Sequence, residues 1–184
     1  MIYRHYATPE AVARAVAEEA FVRPSCEGWV HIAVSGGSTP RLLFELLASE
    51  PLASSVQWDR VHLYWVDERC VPPTDAESNY GMTEETLLRH VPIPEGQVHR
   101  IAGEKDPERE AKDYSWLVGS ELPFDGEYPV FDVVILGLGD DGHTSSIFPH
   151  QMELLETDQP YAVGVSPRGQ KRLAMTGPTI LAAK

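Results

Sequence analysis

Short apolar segments alternate with helical patterns along most of this chain, and this alternation constrains the fold more than any other feature. Val30–Val34, Val61–Val66 and Phe131–Leu136 are largely apolar over strand-like lengths, as strands buried on both faces of a sheet are. Between the first two segments, leucines recur at the three- and four-residue spacing of an amphipathic helix. The repeated strand–helix order predicts an α/β fold with a mostly parallel sheet and helices on both faces.

Weaker patterns complete the prediction. They indicate a short strand at Ile2–Tyr6, helices that begin near Thr8, Ser78, Asp106 and Pro178, and strands at Tyr161–Val165 and Leu173–Met175. The stretch 92–107 is rich in proline, glutamate and glycine, which predicts a surface connection. With 184 residues, the chain is expected to form one domain.

The composition argues against several classes of partner. The formal net charge is −13, and a surface of that sign repels phosphate, so neither nucleic acid nor an anionic membrane is expected as a partner. Cys26 and Cys70 show no metal-ligand or disulfide-framework spacing. No stretch has the pattern of an apolar leader or a membrane span. These features predict a cytoplasmic setting.

Three loops follow predicted strands, and the carboxyl ends of parallel strands converge on one crevice. The first loop, SGGSTP at 35–40, opens a helix. Its glycines allow a close backbone approach, and the helix start offers free N–H groups to a phosphate. The same pattern is also expected of an ordinary helix N-terminus whose glycines serve the turn alone.

The second loop begins with Asp67, Glu68 and Arg69 and leads to Ser78 and Asn79, where a helix is predicted. A carboxylate and a guanidinium at the end of a strand suit a polar ligand. Charged residues at such positions also pair with each other or with water. The residues by themselves leave both interpretations open.

The third loop, GLGDDGHTSSIFP at 137–149, formally matches the dinucleotide fingerprint GxGxxG. Its context does not fit, because Asp140 and Asp141 would face a pyrophosphate and Pro149 ends the helix that should follow. The glycines instead display both aspartates and His143 at the edge of the sheet. Because neighbouring carboxylates orient an imidazole and tune its pKa, His143 is a candidate general base; the alternative is a surface or capping histidine.

In this order and with these separations, the segments SGGSTP, WVDERCVPPTDAESNY and VVILGLGDDGHTSSIFP closely resemble the 6-phosphogluconolactonase family, within the larger group that includes glucosamine-6-phosphate isomerases and deaminases. The likeness covers essentially the whole chain. It implies a Rossmann-like α/β fold and hydrolysis of 6-phospho-D-glucono-1,5-lactone in the pentose phosphate pathway, without a metal or organic cofactor. The isomerase branch carries GHxxFNEP where this chain has GHTSSIFP, so the asparagine and glutamate of that pattern are absent.

The resemblance also implies roles for individual residues. His143 is expected to take the proton of the attacking water, with Asp67 and Asp141 as catalytic partners that orient the imidazole or the sugar hydroxyls and Asp140 as the alternative to Asp141. Backbone N–H groups of the glycine-rich turns are expected to stabilise the oxyanion. The residues expected to bind the substrate and its phosphate are Gly36, Gly37, Ser38, Thr39, Arg69, Asn79 and Arg172.

The expected partner is a small phosphorylated sugar lactone, and the oligomeric state is left open between a monomer and a weak homo-oligomer. Members of the family continue with a further strand, a Gly-x-x-Lys segment that helps hold the phosphate, and a terminal helix. Residues 1–184 are therefore expected to form a single α/β domain of this type that lacks its C-terminal strand and helix. Two alternative functions stay open: an isomerase or deaminase of sugar phosphates, and a sugar-phosphate-binding protein without turnover.

Overall fold

A parallel sheet forms the centre of the computed structural model, which describes residues 2–24 and 28–184. In chain order, the strands are β1 (Val30–Val34), β2 (Val61–Trp65), β3 (Asp67–Arg69), β4 (Val98–His99), β5 (Phe124–Asp125), β6 (Tyr128–Pro129), β7 (Val133–Val134), β8 (Tyr161–Val165) and β9 (Lys171–Met175). The parallel sheet has the order β4-β2-β1-β7, and Val30 of β1 lies opposite Val61 of β2. Every residue of β1 and β2 is buried, as expected of central strands covered on both faces.

Helices connect and cover these strands. They are α1 (Pro9–Val16), α2 (Ser38–Leu47), α3 (Leu52–Ser55), α4 (Asn79–Thr83), α5 (Pro107–Glu121) and α6 (Gly177–Leu181), and π-helical segments at Ala17–Val22 and Glu84–Leu88 extend α1 and α4. Thr8 and Asp106 cap α1 and α5, because each side chain accepts a hydrogen bond from the N–H three residues later. Helices α1 and α2 pack against each other, whereas α5 packs against β8.

A second, antiparallel sheet adjoins the end of β2. Its order is β3-β9-β8, and Asp67 lies opposite Ala174. The N–H of Met175 donates to the backbone oxygen of Val66 at 2.7 Å, which connects β9 to the end of β2. The sequence did not predict this pairing, because β3 consists of three charged residues and its partner strand lies far along the chain. The antiparallel sheet brings β9 beside the loop that follows β2.

The mostly parallel α/β architecture is confirmed, but three local predictions are wrong. Residues 2–6 form no strand, and their side chains are exposed. The predicted strand Phe131–Leu136 is shorter than expected: β7 covers two residues, and the N–H groups of Asp132 and Ile135 beside it also donate to β1. The stretch 92–107 is more than a surface connection, since it contains the edge strand β4 and the fully buried side chain of Ile101.

Two further predictions concern the pairing of the cysteines and the lack of a membrane span. Cys26 lies outside the described residues, and Cys70 is a free thiol. None of the helices in residues 2–24 and 28–184 has the length and hydropathy that a membrane span requires.

Candidate functional site

A cleft of about 300 Å³ lies where the loops after β1, β2 and β7 meet. It is lined by every residue predicted for the site except Asp141, namely Gly36, Gly37, Ser38, Thr39, Asp67, Arg69, Asn79, His143 and Arg172. Ser35, Leu138 and Ser145 also line it and were not predicted. The loops converge because the strands are parallel and their carboxyl ends lie at one edge of the sheet.

The turn after β1 leads directly into the N-terminus of α2. Ser35 donates its hydroxyl to the backbone oxygen of Ile135 at 2.7 Å, which joins this turn to the segment after β7. A Cβ atom on Gly36 would lie 1.7 Å from Oδ1 of Asn79, so a larger residue does not fit. Gly37 has a φ of 109° and precedes α2 without a side-chain cap. The first N–H groups of α2 are therefore available to an anion in the cleft.

Asp67 is a buried carboxylate, with 5% of its surface exposed. Its Oδ2 accepts a hydrogen bond of 2.5 Å from the hydroxyl of Ser146, and its Oδ1 accepts one of 3.2 Å from Nδ2 of Asn79. Burial raises the pKa of Asp67, while the hydrogen bond from Ser146 and the charges of the nearby arginines oppose this rise. Asp67 is thus held by neutral donors beside positively charged groups.

Glu68 is a second buried carboxylate, on β3. Its Oε1 accepts a hydrogen bond from the N–H of Asn79 at 2.8 Å, and its Oε2 accepts from the N–H of Tyr80 at 2.8 Å and the hydroxyl of Ser78 at 3.0 Å. Burial raises the pKa of Glu68, and these hydrogen bonds counteract the rise. A carboxylate at the first N–H groups of α4 stabilises that helix. Glu68 therefore fixes the helix that carries Asn79 to the cleft.

Arg69 and Arg172 lie opposite each other on β3 and β9, and both line the cleft. Nη1 of Arg69 donates to the backbone oxygen of Glu77 at 2.5 Å. The Nε atoms of both arginines are buried and have no hydrogen-bond partner among the described residues. Burial, with a smaller contribution from the charge of Arg69, lowers the pKa of Arg172. Two adjacent guanidiniums with unused donors attract an anion such as a phosphate.

His143 is held by Asp141. Its Nδ1 lies 2.5 Å from Oδ1 of Asp141, and this hydrogen bond lowers the pKa of Asp141. Because an ionised carboxylate only accepts, Nδ1 carries the proton and Nε2 of the neutral imidazole keeps its lone pair. Of the three candidate aspartates, Asp141 is the one that hydrogen-bonds the imidazole, while Asp67 lies in the same cleft, near enough for the charge of His143 to act on its pKa.

Backbone hydrogen bonds close the loop that carries His143. The N–H of Gly139 donates to the backbone oxygen of His143 at 2.8 Å, and the N–H of Gly142 donates to that of Gly139 at 2.9 Å. These two N–H groups are therefore not free to bind an oxyanion. Of the glycine-rich turns that were expected to supply oxyanion donors, the turn after β1 remains the candidate. A Cβ atom on Gly139 would lie 2.3 Å from the His143 ring, so the imidazole packs directly against the backbone.

The cleft thus combines a hydrogen-bonded imidazole, a helix N-terminus and two guanidiniums. In the described part of the chain, no group of three or more His, Cys, Asp or Glu side chains is arranged to hold a metal ion. The imidazole can take a proton from water while the guanidiniums and backbone N–H groups hold an anionic group of the same molecule. The geometry suits a small anionic ligand that reacts with water.

Comparison with known proteins gives the family. The family described as glucosamine-6-phosphate isomerases/6-phosphogluconolactonase matches residues 5–184. The 6-phosphogluconolactonase of Haemophilus influenzae is 39% identical over 184 residues, which cover 100% of this chain and 78% of the relative. That of Treponema pallidum is 45% identical over 147 residues, which cover 79% of this chain and 61% of the relative. The solved structure of 6-phosphogluconolactonase from Trypanosoma brucei superposes with a TM-score of 0.83 at 30% identity, covering 98% of this chain and 78% of that one. The chain belongs to the glucosamine-6-phosphate isomerase/6-phosphogluconolactonase family.

Proposed function

We infer that this protein hydrolyses 6-phospho-D-glucono-1,5-lactone to 6-phospho-D-gluconate, a step of the oxidative pentose phosphate pathway. One observation carries the inference: His143, oriented by Asp141, lines the same cleft as the guanidiniums of Arg69 and Arg172. The relatives from Haemophilus influenzae and Treponema pallidum bear the name of the same activity. The protein is therefore a carboxylic ester hydrolase.

The reaction adds water to the carbonyl carbon of the lactone. Nε2 of His143 accepts a proton from the water as the water oxygen bonds to that carbon. The carboxylate of Asp141 stabilises the imidazolium that forms, through the hydrogen bond at Nδ1. The tetrahedral intermediate then breaks the bond between the carbonyl carbon and the ring oxygen, and His143 returns its proton to that oxygen. The product is an open-chain acid, which loses a proton to water at neutral pH.

The phosphate of the substrate is proposed to lie between the turn after β1 and the two arginines. The backbone N–H groups at 36–39 and the start of α2 supply neutral donors, and Arg69 and Arg172 supply charge. Asn79 lines the cleft and stays a candidate for substrate binding, and its Nδ2 also donates to the backbone oxygen and to Oδ1 of Asp67. We assign to Asn79 the positioning of Asp67.

The test is acid release from freshly generated lactone, corrected for spontaneous hydrolysis. The His143→Ala variant is expected to turn over roughly 10²- to 10⁴-fold more slowly than the wild type. Turnover equal to that of the wild type would remove His143 from the mechanism. Ammonia release from glucosamine-6-phosphate would support the isomerase or deaminase alternative. Thermal stabilisation by 6-phosphogluconate without any lactone hydrolysis would support binding without turnover.

Besides the roles of the site residues, four expectations from the sequence stay predictions. They are the cytoplasmic setting, the lack of a nucleic-acid partner, the independence from a cofactor, and the choice between a monomer and a weak homo-oligomer. The surface charge and the cysteine spacing support the first two.

A further inference from the structure

Phe148 is a buried aromatic residue that contacts two groups of the site at once. It lies in the loop of His143 and is 2% exposed. Its ring centroid lies 4.8 Å from that of His143, with an angle of 35° between the rings. The Cζ atom of Arg172 lies 5.6 Å from the same centroid. Nothing in the sequence motif around Phe148 shows which residues its ring contacts.

The hydrogen bond to Asp141 does not by itself fix the imidazole of His143. It constrains Nδ1, but the ring can still turn about the axis of that bond. A neighbouring aromatic ring restricts this rotation, since the two rings pack at a preferred separation and angle. Together with the Gly139 backbone on which the imidazole packs, the contact with Phe148 therefore restricts where Nε2 of His143 points.

The Phe148 ring also holds the guanidinium of Arg172 in place. Its Nε is buried without a hydrogen-bond partner among the described residues, and the charge of Arg69 repels it. A guanidinium over an aromatic ring gains a favourable electrostatic contact that does not consume its hydrogen-bond donors. Phe148 therefore holds Arg172 while leaving those donors to an anion.

We propose that Phe148 is a positioning residue, which sets the imidazole of His143 and the guanidinium of Arg172 in a fixed relation to the substrate. The inference rests on the proposed function. It assigns to one side chain an effect on the proton transfer, through His143, and a separate effect on phosphate binding, through Arg172. These two effects can be measured independently.

The first experiment compares Phe148→Leu with Phe21→Leu. Phe21 is also 2% exposed, but it packs against Trp58 away from the cleft, so it controls for the loss of a buried ring. Phe148→Leu is expected to lower kcat about ten-fold, because a misdirected base loses its near-attack geometry, and to raise KM about three- to ten-fold. Phe21→Leu is expected to lower the melting temperature and to keep both kinetic constants close to those of the wild type.

The second experiment separates the two effects with double-mutant cycles. In a His143→Ala background, Phe148→Leu should lower kcat no further, while binding of 6-phosphogluconate, measured by calorimetry, should still weaken three- to ten-fold. In an Arg172→Gln background, the effect on binding should disappear and the effect on kcat should remain. If Phe148→Leu does not fold, Phe148→Met retains most of the apolar volume without the ring and is measured in the same cycles.

Either of two results would overturn the proposal. One is that the Phe148 variant behaves as Phe21→Leu does, with lower stability and unchanged kinetics. The other is that its effects on kcat and on ligand binding are the same in all backgrounds, which indicates a general structural role. A wild-type protein that binds 6-phosphogluconate but does not hydrolyse the lactone would instead contradict the proposed function, and the binding cycle with Arg172→Gln would still test Phe148.

Discussion

The hydroxyl of Ser146 donates a 2.5 Å hydrogen bond to Oδ2 of Asp67 across 79 residues of chain. Ser146 belongs to the loop that carries His143, and Asp67 begins β3, the strand that carries Arg69. The bond therefore joins the loop of His143 to the strand of Arg69, the two parts of the cleft for which we propose proton transfer and anion binding. Both residues are buried, with Ser146 fully so, and an unpaired carboxylate there would be costly.

Removal of this hydroxyl should destabilise the protein. Ser146→Ala leaves Oδ2 of the buried Asp67 without its donor, and we expect a loss of about 1–3 kcal/mol in the free energy of unfolding. Ser54→Ala is the matched control, since Ser54 donates to the carboxylate of Glu50 at 2.6 Å but is exposed; its expected loss is below about 0.5 kcal/mol. Urea unfolding measures both. Equal midpoints for Ser146→Ala and the wild type would show that the bond contributes nothing.

The roles of the two adjacent aspartates can be separated by kinetics. Asp141 accepts the hydrogen bond from Nδ1 of His143, so Asp141→Ala should lower kcat about ten-fold or more, because the imidazole loses its orientation and the stabilisation of its protonated form. Asp140→Ala removes the same charge from the neighbouring position and should change kcat much less. Initial rates at saturating lactone measure both variants. If Asp140→Ala proves the more damaging, the assignment of Asp141 is wrong.

The outline of the site could be predicted from the sequence because its motifs are local. A glycine turn before a helix and an acidic loop around His143 each indicate a strand end, and parallel strands bring such ends together. The contacts that give each residue its role join distant parts of the chain and leave no local pattern. The bonds from Ser146 to Asp67 and from Glu68 to α4 appear only once the sheets are assembled.

The strands that were wrongly predicted or missed also depend on contacts between distant parts of the chain. The strand predicted at Ile2–Tyr6 contains an isoleucine and two tyrosines beside an arginine and a histidine, but no described strand pairs with it, and residues 2–6 remain exposed. Conversely, the three charged residues of β3 look like a loop, yet β9 pairs with them over their whole length. Strand formation depends on the partner as much as on the segment itself.

Activity should require glycine at position 139, because the His143 ring occupies the place that a side chain would take there. A Cβ atom there would lie 2.3 Å from the His143 ring, so Gly139→Ala must displace the imidazole, and kcat should fall about ten-fold or more. Gly137→Ala is the matched control in the same loop, because a Cβ atom at that position meets nothing within 4 Å. The comparison is of kcat in the two variants with circular dichroism to verify folding. Similar losses in both would show that the loop tolerates no alanine for some other reason.

His99 should make the stability of the protein depend on pH. Its Nε2 lies 3.0 Å from Nδ1 of His62, and its ring stacks on Tyr64 with centroids 4.4 Å apart. Burial, together with the neighbouring charges of His62 and His31, lowers the pKa of His99 from 6.5 to about 4. Between those values the unfolded chain binds more protons than the folded protein, so stability falls as the pH drops from 6.5 towards 4.

The measurement is the melting temperature of the wild type and of His99→Gln at a series of pH values. The variant lacks the titrating ring, so the stability of the wild type relative to it should be greatest above pH 6.5 and should shrink as the pH falls towards 4. His90→Gln is the control, because His90 is exposed and its Nε2 donates to the backbone oxygen of Glu85 at 3.0 Å. Its curve should run parallel to that of the wild type. A difference between wild type and His99→Gln that stays constant over the same range would mean that His99 titrates alike in the folded and unfolded chains.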